Sequence, residues 1–145
     1  KDSEFMKFNT TRFGEIEVDE GLIFNFELPI LGYEDKRYVM IDVTENPIFK
    51  WLQAVDTPEV SFPITTPAVF GHDYSFELPT SAEKTLEIGG AEDVMVFNIA
   101  CIPDKAPKDS TINLLAPLIF NIKNHKAGQV ILSDSGFSTT EKLFK

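Results

Sequence analysis

The sequence predicts an all-β fold: a single-domain, antiparallel, barrel-like sheet of about ten short strands with one short helix. Three observations carry that expectation. Apolar residues recur at every second position far more often than at helical spacing. Nine prolines, with turn signals at Gly89-Gly90 and Lys126-Ala127-Gly128, break the chain at close intervals. Finally, 145 residues with little helical pattern leave a sheet closed on itself as the simplest way to protect strand edges.

The elements follow in order along the chain. Glu15-Ile16-Glu17-Val18-Asp19 alternates cleanly, as do Leu22, Phe24, Phe26 and Leu28. Residues 37–43, 48–55, 60–65 and 74–78 are further strands, rich in β-branched and aromatic side chains. A helix is expected over 81–86, with the hydroxyls of Pro79-Thr80-Ser81 capping its start. Gly89-Gly90 marks a turn. Residues 94–102 are apolar at nearly every position, which predicts a central strand covered on both faces. Strands at 111–115 and 118–123 precede a turn at Lys126-Ala127-Gly128 and a last strand at 129–132. Towards both ends the alternation predicts one face in the core and one in water. Pro29, Pro47, Pro58, Pro63, Pro67, Pro79, Pro103, Pro107 and Pro117 should avoid central ladder positions, since proline has no N–H to donate. The expected domain spans residues 6–145, with 1–5 an expression remnant and Met6 the native start.

Charge narrows the function. The formal net charge is −10, from 23 acidic and 13 basic residues. Residues 56–104 are the most lopsided part, where nine acids face the single Lys84. An acidic surface repels nucleic-acid phosphates and suits a basic protein partner. One cysteine excludes an internal disulfide, and no apolar run approaches the roughly 20 residues of a membrane span. Without a recognisable signal peptide the chain reads as cytoplasmic.

Reactive constellations are missing. His72 and His125 are the only histidines, and no Cys/His spacing suggests zinc. Asp134-Ser135-Gly136 lacks the nucleophile-elbow pattern, Gly89-Gly90 lacks the continuation of a phosphate loop, and no cofactor is expected. Cys101 lies in the most apolar segment, which predicts a buried, inert thiol. Binding rather than catalysis is therefore the expectation. Two rivals remain: a small hydrolase with a carboxylate pair, which needs convergent acids in a deep pocket, and an oligonucleotide-binding barrel, which needs a basic, aromatic strip. Trp51 and Gln53 share a strand face beside the polar Asp56-Thr57-Pro58 turn, making Trp51, Gln53 and Asp56 candidate partner contacts.

The order of motifs also resembles a known family. Thr11-Arg12-Phe13-Gly14-Glu15-Ile16-Glu17-Val18, Leu31-Gly32-Tyr33-Glu34, Trp51-Leu52-Gln53-Ala54-Val55-Asp56-Thr57-Pro58 and Asn113-Leu114-Leu115-Ala116-Pro117-Leu118-Ile119-Phe120-Asn121 occur in the sequence and spacing of the bacterial flagellar assembly factor FliW family. Gln129-Val130-Ile131-Leu132 and the tail through Thr139 continue the match, and Phe24 to Ile30 departs from it. The resemblance implies a non-catalytic regulator that binds the RNA-binding translational repressor CsrA, relieving its repression of flagellin synthesis, and that binds flagellin to assist assembly; a monomer is expected because the sequence suggests no large exposed apolar face beyond the one flagellin would need. CsrA must be basic to hold RNA, so Glu83, Glu87, Glu92 and Asp93 are expected on the side facing it. Asn113, Pro117 and Asn121 are expected to border an apolar groove for the amphipathic helices of flagellin.

Overall fold

The computed structural model describes residues 4–43 and 48–144. Its first two strands, β1 (Phe5–Thr10) and β2 (Gly14–Asp19), form an antiparallel hairpin outside the main sheet. Gly14 has φ +72°, a left-handed conformation that closes the loop and that glycine adopts without strain. β1 was absent from the sequence expectations. Phe5, assigned there to a leading remnant, pairs with Asp19; residues 1–3 lie outside the described residues.

The remaining strands build a closed barrel. β3 (Phe24–Leu28), β4 (Arg37–Asp42), β5 (Lys50–Ala54), β6 (Ser61–Thr65) and β7 (Val94–Cys101) pair in sequence order, each antiparallel to the next. β8 (Thr111–Ile112) extends the far end of β7 and carries β11 (Glu141–Lys142) on its other side. β9 (Leu118–Asn121) pairs with β7, and β10 (Lys126–Gln129) bridges β9 to β3, closing a ring of seven strands. Alternating directions can run around a closed ring only if the strand number is even. Seven strands therefore need one parallel junction, and it falls between β3 and β10. The register shifts there between Ala127 and Gly128, where a Cβ on Gly128 would stand 2.6 Å from Leu28 Cβ.

Phenylalanine rings fill the barrel. Phe120 meets Phe24 at 5.0 Å, Phe26 at 5.8 Å and Phe97 at 6.0 Å between centroids, mostly edge to face, and Tyr38 lies 4.8 Å from Phe26. Each such buried ring contributes on the order of 2 kcal/mol of transfer free energy. β7 is covered on both faces as its composition predicts: Met95, Phe97 and Ile99 pack inward, while Val94 and Val96 pack against an outer cluster of Ala82, Leu86, Ile119, Val130 and Leu132. That outer cluster is roofed by α1 (Thr80–Thr85) and by the extended segment 74–78.

Several expectations are corrected. Residues 74–78 are extended but join no ladder, residues 126–128 belong to β10 rather than to a turn, and of 129–132 only Gln129 is in a strand. The pair β8/β9 is shorter than expected at 111–115 and 118–123. No Thr80 or Ser81 hydroxyl caps α1, because Pro79 holds the N-cap position without a side-chain bond. Pro63 does lie in an interior strand, opposite Trp51. Ala54 N donates to Val60 O at 3.0 Å, so alternation makes Trp51 and Pro63 a non-hydrogen-bonded pair, and pairing of β6 with β7 begins only at Ile64. The missing N–H thus falls where no partner waits. Pro47 lies outside the described residues. Cys101 is exposed, not buried, because β7 by then has run past the barrel wall to its edge pairing with β8.

Candidate protein-interaction site

Six of the ten candidate residues serve as framework. Gln53 is fully buried, and its Nε2 lies 3.0 Å from Ala54 O and 3.2 Å from both Pro58 O and Val60 O, plugging the β5–β6 turn. Trp51 is half-buried under the β1–β2 hairpin, edge-on to Phe13 at 6.3 Å, with the Arg12 guanidinium 3.8 Å above its ring. Thr11 N donates to Pro58 O at 2.9 Å and latches the same hairpin. Asn113 Oδ1 accepts from Ala116 N at 3.0 Å, shaping the turn that leads to the buried Pro117. Asn121, 1% exposed, donates to Leu86 O at 2.8 Å and Glu87 O at 3.2 Å and accepts from Lys123 N at 2.9 Å. The Asn113–Asn121 segment is largely buried barrel wall, and Ile119 is its residue on the apolar trough described below.

Asp93 is also buried, at 4% exposure, and ion-paired with Lys123 at 3.2 Å in a geometry too bent for a hydrogen bond. The remaining acids are exposed. Asp56 is held by Arg37 at 2.6 Å, a contact that raises the arginine pKa first through hydrogen bonding and then through charge. Glu87 is bonded by Lys126, whose pKa rises for the same reason. Glu83 and Glu92 have no ion-pair partner among the described residues, so theirs is the uncompensated charge.

Between those two acids opens a trough of about 540 Å³. Val94, Val96, Ile119, Phe76 and Leu78 line it, together with Tyr74, Ser75, Gly89 and Gly90. Glu83 is part of its wall, and the Glu92 carboxylate lies 2.7 Å from where a Cβ on Gly90 would sit. No lysine or arginine lines it. The strap at 74–78 is pinned at Tyr74, whose hydroxyl donates to Leu114 O at 2.7 Å and accepts from Asn98 Nδ2 at 3.3 Å; burial raises its pKa. The sequence reading missed this trough. Its two signals were the 74–78 alternation, taken for a paired strand, and Gly89-Gly90, taken for a simple turn.

No cluster of three or more metal-ligating side chains occurs among the described residues. His72 bonds Leu143 O at 2.9 Å and His125 stacks on Phe24 at 4.5 Å, so both histidines are engaged in structure. No helix among the described residues is long and apolar enough to cross a membrane.

The arrangement defines a closed seven-stranded barrel with an acid-flanked apolar trough on its outer wall. Comparison with known proteins gives that architecture its family. The family model described as "FliW protein" matches residues 7–143, and the chain belongs to the FliW family of flagellar assembly factors. A flagellar assembly factor FliW of Caldicellulosiruptor saccharolyticus is 39% identical over 134 residues, covering 92% of this chain and 87% of that protein. Its counterpart in Thermosipho africanus is 35% identical over 139 residues, covering 95% of each. A crystal structure of the flagellar assembly factor FliW superposes with a TM-score of 0.89 at 32% identity, covering 97% of this chain and 98% of that one. The FliW family is not a known family of enzymes.

Proposed function

We propose that this protein is a cytoplasmic, monomeric, non-catalytic regulator that binds the translational repressor CsrA, thereby relieving repression of flagellin synthesis, and that also binds flagellin to assist flagellum assembly. Membership in the FliW family supports the flagellar role. The observation that carries the CsrA half is the pair of uncompensated carboxylates, Glu83 and Glu92, on a stretch with one lysine in 49 residues. A protein that grips RNA phosphates is cationic, so this face attracts it and repels the RNA it carries. The buried Gln53, Pro117, Asn121 and Asp93 act indirectly. Asn121, by holding the Leu86 and Glu87 carbonyls, fixes the end of α1 and with it the placement of Glu83.

The test is charge reversal of Glu83 and Glu92 together. Association with purified CsrA slows about tenfold at low salt and its dependence on ionic strength flattens. Flagellin added in excess displaces CsrA from the wild-type protein in a pull-down. Unchanged CsrA kinetics in the double variant would refute the electrostatic reading, and recovery of neither partner from a flagellated bacterium would refute the function itself.

A further inference from the structure

Residues 73–78 have every local property of a β-strand except a partner. Exposed and half-buried residues alternate strictly, with Asp73, Ser75 and Glu77 outward and Tyr74, Phe76 and Leu78 packed on the outer cluster. Yet no backbone N–H or C=O of these six residues makes a hydrogen bond within the described residues. The segment is held by side chains alone: the Tyr74 hydroxyl at Leu114, the Phe137 ring 4.9 Å from that of Tyr74, and Phe76 and Leu78 packed on the outer cluster. An extended segment with free donors and acceptors is a template for one more strand. The trough alongside it is open and mostly apolar, with Val94, Val96 and Ile119 in its lining together with Gly89 and Gly90.

We propose that the strap 73–78 receives an extended, cationic segment of a partner protein by strand addition, with the segment's alternate apolar side chains lying on Val94, Val96 and Ile119 and its basic side chains reaching Glu83 and Glu92. The proposal rests on the reading that this protein acts through protein partners, and adds the mode and the chemistry of recognition. Charge selects the occupant. The strap presents Asp73 and Glu77 outward, Glu83 lines the trough and the Glu92 carboxylate lies beside its Gly90, while no lysine or arginine among the described residues lines it. A second copy of this chain added strap to strap would bring Asp73 and Glu77 against their own kind, an arrangement that opposite strands disfavour. Main-chain bonds would supply affinity that tolerates sequence variation, while the spacing of acids and apolar floor would select alternating basic and apolar residues.

The test uses an acetylated, fluorescein-labelled hexapeptide, Lys-Val-Lys-Leu-Lys-Val, and the whole protein. Fluorescence anisotropy is expected to show saturable binding that falls at least tenfold when glutamate replaces lysine in the peptide, and at least tenfold when alternate peptide amides are N-methylated. Ser75→Pro deletes an N–H that has no partner among the described residues, so it is expected to keep the melting temperature and lose at least tenfold in affinity. Glu83→Lys/Glu92→Lys, which leaves the strap untouched, is expected to weaken binding by a similar factor and so keeps the proposal testable if the proline variant misfolds. Hydrogen exchange is expected to show the amides of Ser75 and Glu77 fast in the free protein and slowed at least tenfold with peptide. Equal affinity for the N-methylated peptide, protected strap amides in the free protein, a helical bound peptide, or a dimer of this chain lost in Ser75→Pro would each overturn it. Because CsrA is absent from these measurements, failure here leaves the CsrA reading standing, and failure with CsrA leaves this one.

Discussion

Replacing Asn121 with alanine removes two donated and two accepted hydrogen bonds from a site that is 1% exposed. Leu86 O would keep Asn124 Nδ2 at 3.3 Å, while Glu87 O and the Lys123 and Asn124 amides would lose their partner at this side chain. The short bonds to Leu86 O and Lys123 N are each worth about 1 kcal/mol net, and stranding polar groups at the edge of the barrel adds about 1 kcal/mol more. The expected loss is about 3 kcal/mol, which for a chain of this size lowers the melting temperature by roughly 6–12 °C. Guanidinium unfolding checks it: the midpoint falls while the slope stays constant, because the folded and unfolded surfaces are otherwise unchanged. Asn121→Asp separates the two halves of the network, keeping the acceptor but turning a carboxylate towards two carbonyls, and is expected to cost at least as much. A loss below about 1 kcal/mol in both variants would refute the claim that this side chain anchors the end of α1.

Further outcomes follow from other sites. Gln53→Ala strips the shared donor from three carbonyls at 3.0–3.2 Å and leaves a cavity, and is expected to destabilise by about 2–4 kcal/mol in the same unfolding assay. Gly128→Ala forces a methyl to within 2.6 Å of Leu28 Cβ at the parallel junction, and is expected to cost about 1–3 kcal/mol, read as a lower melting temperature. Tyr38 is fully buried with no partner for its hydroxyl among the described residues, so Tyr38→Phe is expected to be neutral or stabilising by up to about 1 kcal/mol. Burial, and then the charge of Asp35, push the Tyr38 pKa upward. The folded pKa exceeds the unfolded one, so stability is complete below about pH 10 and declines above it as the unfolded chain ionises; Tyr38→Phe is expected to shallow that decline in pH-dependent melts.

The barrel was legible in the sequence because alternation and proline spacing are local signals, and β3 to β7 fall close to the expected positions. What escaped was non-local. Lys126-Ala127-Gly128 reads as a turn by composition, yet an odd ring demands a parallel strand there, and Gly128 is required by Leu28, a residue remote in sequence. Residues 74–78 show the limit from the other side: their alternation correctly predicts an extended chain with one covered face, but periodicity cannot say whether a neighbour exists to complete the ladder. For the site, the acidic stretch was visible and its sorting was not. Asp93 and Glu92 are adjacent in sequence, but one faces Lys123 in the protein and the other faces outward. Asn113 and Asn121 flank an apolar run in the sequence, and in the fold each staples a turn through its side chain.

The parallel junction ties Asn25 to Lys126, about a hundred residues apart, and it is the seam through which the ring closes. On the ribosome, strands β3 to β7 emerge in order and can zip together, but β3 keeps a bare outer edge until the chain beyond Gln129 has cleared the exit tunnel. The barrel is therefore sealed only once β10 has emerged, and nascent chains that stall earlier expose a sheet edge that invites aggregation or rescue by chaperones.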